Sequence, residues 1–367
     1  MTGSTDPRDL ATIDEVIALA REVIDPGAYT WAASGAGQGV TAARNAVALN
    51  SLALVPRVLR TTEPVDPTSS FVGVPLGIPV FLAPVAALGL YDPGDALTAS
   101  IAATEMSTPV MVSALTGSTW EEVAATAPGC HLFQVYVFGD RTWMAEVLSR
   151  VEEAGYAGIC VTVDTPVIGR RDRSLEERYV WSYPAGGPPN LLRHGWDTSH
   201  RSRYTWADLE WLCTQTELPV IVKGVMTAED AITAVDCGVA GVYVSNHGGR
   251  QVDHSVSTIE VLAEVVEAVA ANADVAVDGG FTRGAEVCKA LALGARAVGI
   301  GRLQCWSLAV GGSAGLARVL EILSEEIVGT MANIGCQNVD EITPDRVRWS
   351  FPASPAAAGP FSPRPGG

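Results

Sequence analysis

The fold is decided by a repeating unit that is clearest at residues 219–245, PVIVKGVMTAEDAITAVDCGVAGVYVS. An apolar, β-branched run at 219–223 predicts a strand, and the pattern from 227 to 237 predicts a helix. That helix begins with a capping-box-like Thr-Ala-Glu-Asp and ends at Gly238. A second apolar run follows at 241–245. Apolar strands that alternate with helices indicate a parallel sheet covered by helices.

The same unit recurs along most of the chain, from about residue 79 onward. The predicted strands lie at 79–83, 109–113, 131–136, 158–164, 219–223, 241–245, 275–278 and 297–301. Eight βα units of similar length predict an α/β fold, a (β/α)8 TIM barrel whose active site lies at the carboxyl ends of the strands. An open, doubly wound sheet is the alternative, and the similar length of the units favours closure.

Three other regions accompany the predicted barrel, which we place at residues 79–350. Residues 1–78 are predicted to form a helical N-terminal extension. The segment 173–204 is a long loop after the fourth strand, rich in Pro, Gly, Arg and aromatic residues, and its length is typical of a lid or of a partly disordered segment. Residues 351–367 are rich in Pro, Ala and Gly, which predicts a mobile tail.

The composition argues against several classes of function. The chain of 367 residues is 48% hydrophobic and 18% charged, so it can bury a large core. Its formal net charge of −17 argues against nucleic acid or an anionic membrane as a partner. No apolar run of about 18 residues and no leader pattern occurs, so we expect neither a membrane span nor a signal peptide. Seven cysteines without metal-type spacing predict reduced thiols in the cytoplasm and no metal site.

The run Ser-Asn-His-Gly-Gly-Arg-Gln at 245–251 carries the strongest chemical signal. His247 directly follows a predicted strand, and Arg250 comes three positions later. Because strand ends face the mouth of a barrel, this pair is typical of a general base beside an anion-binding group. A structural loop histidine is the alternative interpretation.

Three charged residues also lie at predicted strand ends. Asp164 ends the fourth strand, where it either stabilises an imidazolium or caps the next helix. Arg171 follows the same strand, and an arginine there binds a carboxylate or is simply a solvated surface residue. Lys223 ends the fifth strand, where an ammonium needs an anion, an electron-rich ring or a structural carboxylate partner.

Glycine-rich turns lie at the ends of the seventh and eighth strands, at 278–284 and 299–302. In barrels these two adjacent turns commonly hold a phosphate with backbone N–H groups and helix N-termini. Arg283 or Arg302 is placed to add positive charge there. The sequence therefore predicts a phosphate-bearing ligand at this side of the mouth.

Together these motifs resemble the FMN-dependent L-2-hydroxy-acid oxidases and dehydrogenases. The resemblance covers about residues 14–348 and includes the runs at 83–86, 133–136, 162–166, 222–225 and 289–295. It implies a small 2-hydroxy carboxylate as substrate, FMN as cofactor and a 2-keto acid as product. It also implies O2 or another electron acceptor, and a homo-oligomer, either a tetramer or an octamer.

The resemblance assigns roles to individual residues. His247 would be the base, Asp164 would support its protonated form, and Tyr136 would hydrogen-bond the substrate. Arg250 and Arg171 would hold the substrate carboxylate, and Lys223 would lie near the flavin N1 and O2 atoms. The residues assigned to the flavin are Ala83, Pro84, Val85, Ala86, Ser113, Gln134, Thr162 and Ser245, and those assigned to its phosphate are Asp278, Gly279, Gly280, Arg283, Gly301 and Arg302.

Three departures from the family pattern bear on the substrate. Trp31 stands where a tyrosine commonly touches the substrate, Leu115 where glycolate-type members often carry tryptophan, and Thr282 where the phosphate turn usually has arginine. They predict a substrate larger or more apolar than glycolate, such as a mandelate-like acid. A diverted member that oxidises, or also decarboxylates, a secondary-metabolism or peptide-linked substrate is the alternative. Ala86, often glycine in dehydrogenases of the family, favours an oxidase over a dehydrogenase.

Overall fold

A computed structural model describes residues 6–60, 64–128, 130–179, 190 and 197–351 of the chain. Half of the predicted lid, at 180–189 and 191–196, lies outside the described residues. The predicted mobile tail also lies outside them, apart from its first residue.

The regular elements alternate as the repeating pattern predicts. The helices are α1 Ile13–Val23, α2 Pro26–Ala33, α3 Val40–Asn50, α4 Asp95–Glu105, α5 Trp120–Thr126, α6 Arg141–Ala154, α7 Asp172–Glu176, α8 Trp206–Cys213, α9 Ala228–Asp236, α10 Thr258–Val269, α11 Gly284–Ala292 and α12 Arg302–Asn333. The strands are β1 Leu52–Leu54, β2 Ser69–Phe71, β3 Val74–Leu76, β4 Val80–Leu82, β5 Met111–Ser113, β6 Leu132–Val135, β7 Gly158–Thr162, β8 Val220–Val225, β9 Gly241–Val244, β10 Asp274–Val277, β11 Ala297–Ile300 and β12 Val347–Trp349.

Strands β4 to β11 form the predicted parallel barrel. Their order in the sheet is β4-β11-β10-β9-β8-β7-β6-β5. The remaining gap is closed by a parallel bridge between Leu82 and Val110, and the Leu82 N–H donates to the Pro109 carbonyl at 3.0 Å. All eight predicted strands are present, and the TIM barrel is confirmed. The strands are buried on both faces because helices cover the outside and side chains fill the inside.

The N-terminal extension contains strands as well as the predicted helices. β2 and β3 form a hairpin through Val72 and Gly73, both with positive φ as a tight two-residue hairpin turn requires. Phe71 at the end of β2 stacks on Phe81 of β4, with ring centroids 5.8 Å apart. The Val72 N–H donates to the Asp274 carboxylate at the start of β10. The hairpin therefore covers the end of the barrel opposite the strand carboxyl ends.

The last long helix, α12, packs against α1 and α4. It is interrupted at Gly311 and Gly312, whose backbone angles are not helical. By length and a mean hydropathy of 1.2 it resembles a membrane-crossing helix, the one such helix among the described residues. Its kink and its buried contacts are those of a core helix. Beyond it, β12 pairs antiparallel with β1 of the extension, Leu52 opposite Trp349.

Candidate active site

A cavity of about 570 Å³ opens at the carboxyl ends of the barrel strands. Each of the eight strands contributes a lining residue at or just beyond its end, as the barrel architecture predicts. The predicted site residues that line it are Trp31, Ala83, Pro84, Val85, Ala86, Leu115, Tyr136, Arg171, Lys223, His247, Arg250, Asp278, Gly279, Gly280, Gly301 and Arg302. Those that do not line it are Ser113, Gln134, Asp164, Thr162, Ser245 and Arg283.

His247 and Asp164 form a hydrogen-bonded pair. The apolar strand β9 ends at Val244, three positions before His247, whose φ of +58° turns its side chain out of the strand path. Its Nδ1 lies 3.1 and 3.2 Å from the two Asp164 carboxylate oxygens. Because Nδ1 donates to Asp164, Nε2 keeps its lone pair and can accept a proton.

Electrostatics keep this pair in the state that a base requires. Burial lowers the pKa of the His247 imidazole, with Lys223 and Arg250 acting in the same direction and Asp164 opposing them. Burial alone would raise the pKa of Asp164, but its interactions with the His247 ring and the Lys223 ammonium more than offset burial and lower that pKa. The imidazole is therefore neutral and the carboxylate ionised at neutral pH.

Two residues, Gln251 and Gly224, hold Asp164 in place. The Gln251 side chain donates to the carbonyls of Asp164 at 2.8 Å and Val167 at 3.0 Å. Gly224 has a φ of +115°, and a Cβ there would lie 2.6 Å from the Asp164 Cβ. The loop after β7 therefore packs directly on strand β8. Gln251 belongs to the run that carries His247, but nothing in its pattern indicates this positioning role.

Arg250 connects the cavity to helix α2. Its Nη1 lies within 2.9 Å of the carbonyls of Trp31, Ala32 and Ser34 at the C-terminus of that helix. Arg302 donates from Nε to the same Ala32 carbonyl at 2.9 Å. Cations are favourable at a helix C-terminus because the last carbonyls lack partners within the helix. The extension therefore supplies one wall of the site.

Two guanidinium groups lie near the Trp31 ring. The Arg250 guanidinium carbon is 4.9 Å from its ring centroid and that of Arg171 is 5.9 Å away. Arg171 Nε is buried without a hydrogen-bond partner among the described residues, and burial lowers the pKa of the group. An indole face attracts cations more strongly than a phenol face. The tryptophan thus holds both arginines at the cavity, although it lacks the hydroxyl of a tyrosine.

A buried ammonium lies at the floor of the cavity. Lys223 Nζ donates to Ser245 Oγ at 3.0 Å, and that hydroxyl donates to Asp278 at 2.7 Å. Burial would lower the pKa of Lys223, but Asp164 and Asp278 raise it above its ordinary value. Lys223 is therefore charged, and it lies 5.3 Å from the Tyr243 ring centroid.

The remaining predicted flavin residues fit a ring with an N–H edge and a phosphate tail. Gln134 donates to Thr162 at 2.9 Å, while its carbonyl oxygen is buried without a partner among the described residues. That orphaned oxygen is an acceptor for a ring N–H. Gly279 and Gly280 have φ of +115° and +98°, and a Cβ on Gly301 would meet open space. The turn at Gly301 therefore leaves room for a ligand against its backbone.

The structure corrects the assignment of Arg283 to the phosphate. Its guanidinium pairs with Glu326 of α12 at 2.6 Å and with Asp14 at 3.7 Å, and it does not line the cavity. The N–H groups of Thr282 and Arg283 are themselves capped by the Glu286 carboxylate. Positive charge at the phosphate turns therefore comes from Arg302.

Substitution of Arg302 and of Arg283 is expected to affect FMN binding differently. R302M is expected to raise the dissociation constant for FMN about 10-fold or more, because it removes a charged group at the cavity. R283M is expected to change it less than about 2-fold, since that ion pair is partly exposed and faces away. Fluorescence titration of the apoprotein with FMN measures both constants. A larger loss in R283M than in R302M would contradict the correction.

The structure also places residues at the cavity that the sequence pattern does not indicate. Tyr91, Phe138, Arg201 and Cys305 line its walls. Arg201 comes from the 3-10 helix Thr198–Arg203, at the described end of the predicted lid. None of these residues follows a strand directly or belongs to a glycine-rich turn, so no local signal marks them.

Comparison with known proteins finds similarity over most of the chain. Residues 20–349 match the model of a family described as FMN-dependent dehydrogenase. Glycolate oxidase of Spinacia oleracea is 37% identical over 95% of this chain and 99% of its own length. A peroxisomal (S)-2-hydroxyacid oxidase of Arabidopsis thaliana is 36% identical over 92% and 96%. A mandelate oxidase solved with (S)-2-phenylpropionate superimposes with a TM-score of 0.85 and 34% identity, over 92% of this chain and 98% of that chain.

Proposed function

We propose a substrate class and an electron acceptor from one premise: this chain belongs to the FMN-dependent dehydrogenase family and oxidises a 2-hydroxy acid with FMN. The proposal is that the acid carries a bulky, apolar side chain and that O2 reoxidises the flavin. The main support for this substrate class is the apolar part of the cavity wall. Leu115, Phe138 and Ile168 line the cavity together with the predicted substrate-binding residues.

Different residues bind the substrate, accept its proton and hold FMN. Arg250 and Arg171 bind the substrate carboxylate, and the Tyr136 hydroxyl orients the 2-hydroxyl group. His247 Nε2 takes a proton from the substrate, and Asp164 stabilises the imidazolium that results. FMN, when bound, would accept the electron pair and the second hydrogen that the substrate loses. The residues that would hold FMN are those at 83–86, Gln134, Thr162, Lys223, the turn 278–280, Gly301 and Arg302.

Two observations support a bulky, apolar substrate. Leu115 is smaller than the tryptophan that glycolate-type members often carry, and this leaves space in the cavity wall. Mandelate oxidases that this chain resembles were solved with (S)-mandelic acid and with benzoyl-formic acid. We infer that an aryl 2-hydroxy acid fits the space beside Leu115.

The acceptor and the setting of the enzyme are also part of the proposal. Ala86 lines the cavity, and the named relatives are oxidases, which supports O2 as acceptor. All seven cysteines are free thiols, including exposed Cys130, which supports a reducing, cytoplasmic setting. Val167 and Val252 are 76% and 66% exposed at neighbouring loops of the mouth, which supports a homo-oligomer.

A panel of hydroxy acids tests the proposal in one experiment. (S)-Mandelate is expected to bleach the flavin anaerobically with a kcat/KM at least about 10-fold above those of glycolate and L-lactate. L115W is expected to reverse this order, because the indole fills the space for the aryl ring. Admission of O2 should then restore the flavin absorbance rapidly.

Each part of the proposal has its own contrary result. Higher kcat/KM for glycolate or L-lactate in the wild type would overturn the substrate class. Slow recovery of flavin absorbance in O2 would overturn the oxidase assignment while leaving the substrate class intact. Absence of bleaching by every 2-hydroxy acid would remove the function itself.

A further inference from the structure

Arg201 approaches the cavity from the segment between β7 and α8. Its guanidinium carbon lies 5.8 Å from the centroid of the Tyr136 ring and 5.2 Å from that of Phe138. Both aromatic residues follow β6, and both line the cavity. The two rings hold the guanidinium at the cavity wall through cation–π contacts.

The charge of Arg201 has no acidic partner among the residues that the structure describes. Its Nε is buried and makes no hydrogen bond to any of them. The one titratable neighbour that acts on its pKa is Tyr136, and burial lowers that pKa. Partial burial of a guanidinium without a counter-charge costs desolvation free energy, and a bound anion offsets that cost.

The other cationic side chains at the cavity already contact protein groups. Arg250 and Arg302 donate to carbonyls of α2, and Lys223 is linked to Asp278 through Ser245. Arg171 lies near the Trp31 ring, which Arg250 also contacts.

Arg171 and Arg201 therefore occupy different walls. Both act on the pKa of Tyr136, but one contacts the indole of the extension and the other the Tyr136 and Phe138 rings. A single carboxylate bound between Arg250 and Arg171 leaves Arg201 without an anion.

We propose that Arg201 binds a second acidic group, at the far end of the substrate side chain. The preferred substrate class is then a 2-hydroxy acid with an apolar or aryl body that ends in a carboxylate. This inference rests on the proposed function, because Arg171, Arg250 and Tyr136 must hold the 2-hydroxy acid end. It extends that function by naming the group opposite.

Two isosteric substrate pairs test the inference. One pair is (S)-4-carboxymandelate and (S)-4-isopropylmandelate, and the other is L-2-hydroxyglutarate and L-2-hydroxy-5-methylhexanoate. In each pair a carboxylate replaces an isopropyl group of similar shape. The wild type is expected to favour the acidic member at least about 10-fold in kcat/KM, measured by anaerobic flavin bleaching, since a charge-assisted hydrogen bond discriminates by that amount or more.

Variants of the segment assign that preference to one side chain. R201M is expected to abolish the preference for the acidic member, and R201K to retain part of it. R203M is the matched control, because Arg203 is an exposed arginine of the same 3-10 helix and bonds Ser199. It should keep the wild-type ratio.

The contrary outcomes separate this inference from the proposed function. An unchanged ratio in R201M, or equal losses for both members of a pair, would overturn the second acidic group while bleaching still supports 2-hydroxy acid oxidation. A wild-type preference for the isopropyl members would overturn it as well. If no acid bleaches the flavin, the proposed function and the inference both fail.

Discussion

Replacement of His247 by glutamine is expected to slow anaerobic flavin reduction about 10²- to 10⁴-fold, because the site loses its proton acceptor. Glutamine keeps a polar side chain near Asp164 but cannot take a proton. Stopped-flow absorbance of the holoenzyme measures the rate, and visible absorption verifies that FMN is still bound. H254Q is the matched control, since His254 is exposed and lies seven positions further along the chain. Flavin reduction in H247Q at near the wild-type rate would show that His247 is not the catalytic base.

The pH dependence of kcat/KM provides a second test of His247 as the base. His247 acts as a base only when neutral, so kcat/KM should be constant at neutral pH and fall as the pH decreases through its pKa. Burial lowers that pKa from the ordinary value of 6.5, and the acid limb is therefore expected below pH 6.5. Asp164 raises the His247 pKa, so D164N should move the limb to still lower pH while reducing the rate. A limb above pH 6.5 would contradict the neutral, buried imidazole.

Replacement of Arg250 by lysine is expected to lower kcat/KM for every 2-hydroxy acid about 10²- to 10⁴-fold. Lysine keeps the charge but loses the fork that binds a carboxylate with two parallel hydrogen bonds. R250M should lose at least as much and should also unfold at a lower temperature, since it leaves the α2 carbonyls without their donor.

Arg170 provides the control for this experiment. It directly precedes Arg171, its side chain is 77% exposed, and it pairs with Asp172. R170M is therefore expected to keep the wild-type kcat/KM. Comparable losses in R170M and R250K would indicate a general effect of positive charge near the mouth rather than carboxylate binding.

The barrel and the catalytic pair could be predicted from the sequence because both obey a local rule. Each strand is an apolar run, and the architecture sends whatever follows it to one mouth. His247 and Asp164 are 83 residues apart in sequence, yet each ends or follows a strand, and the fold brings them within 3.1 Å.

The errors and omissions involve contacts that no local pattern contains. Arg283 begins α11 beside a glycine turn, but Glu326 of α12 binds its guanidinium. Arg201 follows no strand, and a tertiary contact with two rings brings it to the cavity. The hairpin at Val72 and Gly73 is short and lacks an Asn-Gly or Asp-Gly signal, so the helical pattern around it dominates the prediction.

The pairing of β1 with β12 has a consequence for the order of events during synthesis. Leu54 lies opposite Val347, so β1 of the extension cannot pair until β12, almost three hundred positions later in the chain, has been translated. β4 likewise pairs with β11 across most of the barrel. Such long-range contacts make folding slow, because loop closure precedes the gain from pairing. A nascent chain on the ribosome therefore keeps two unpaired strand edges until its last elements emerge, which is the period in which a chaperone has the most to protect.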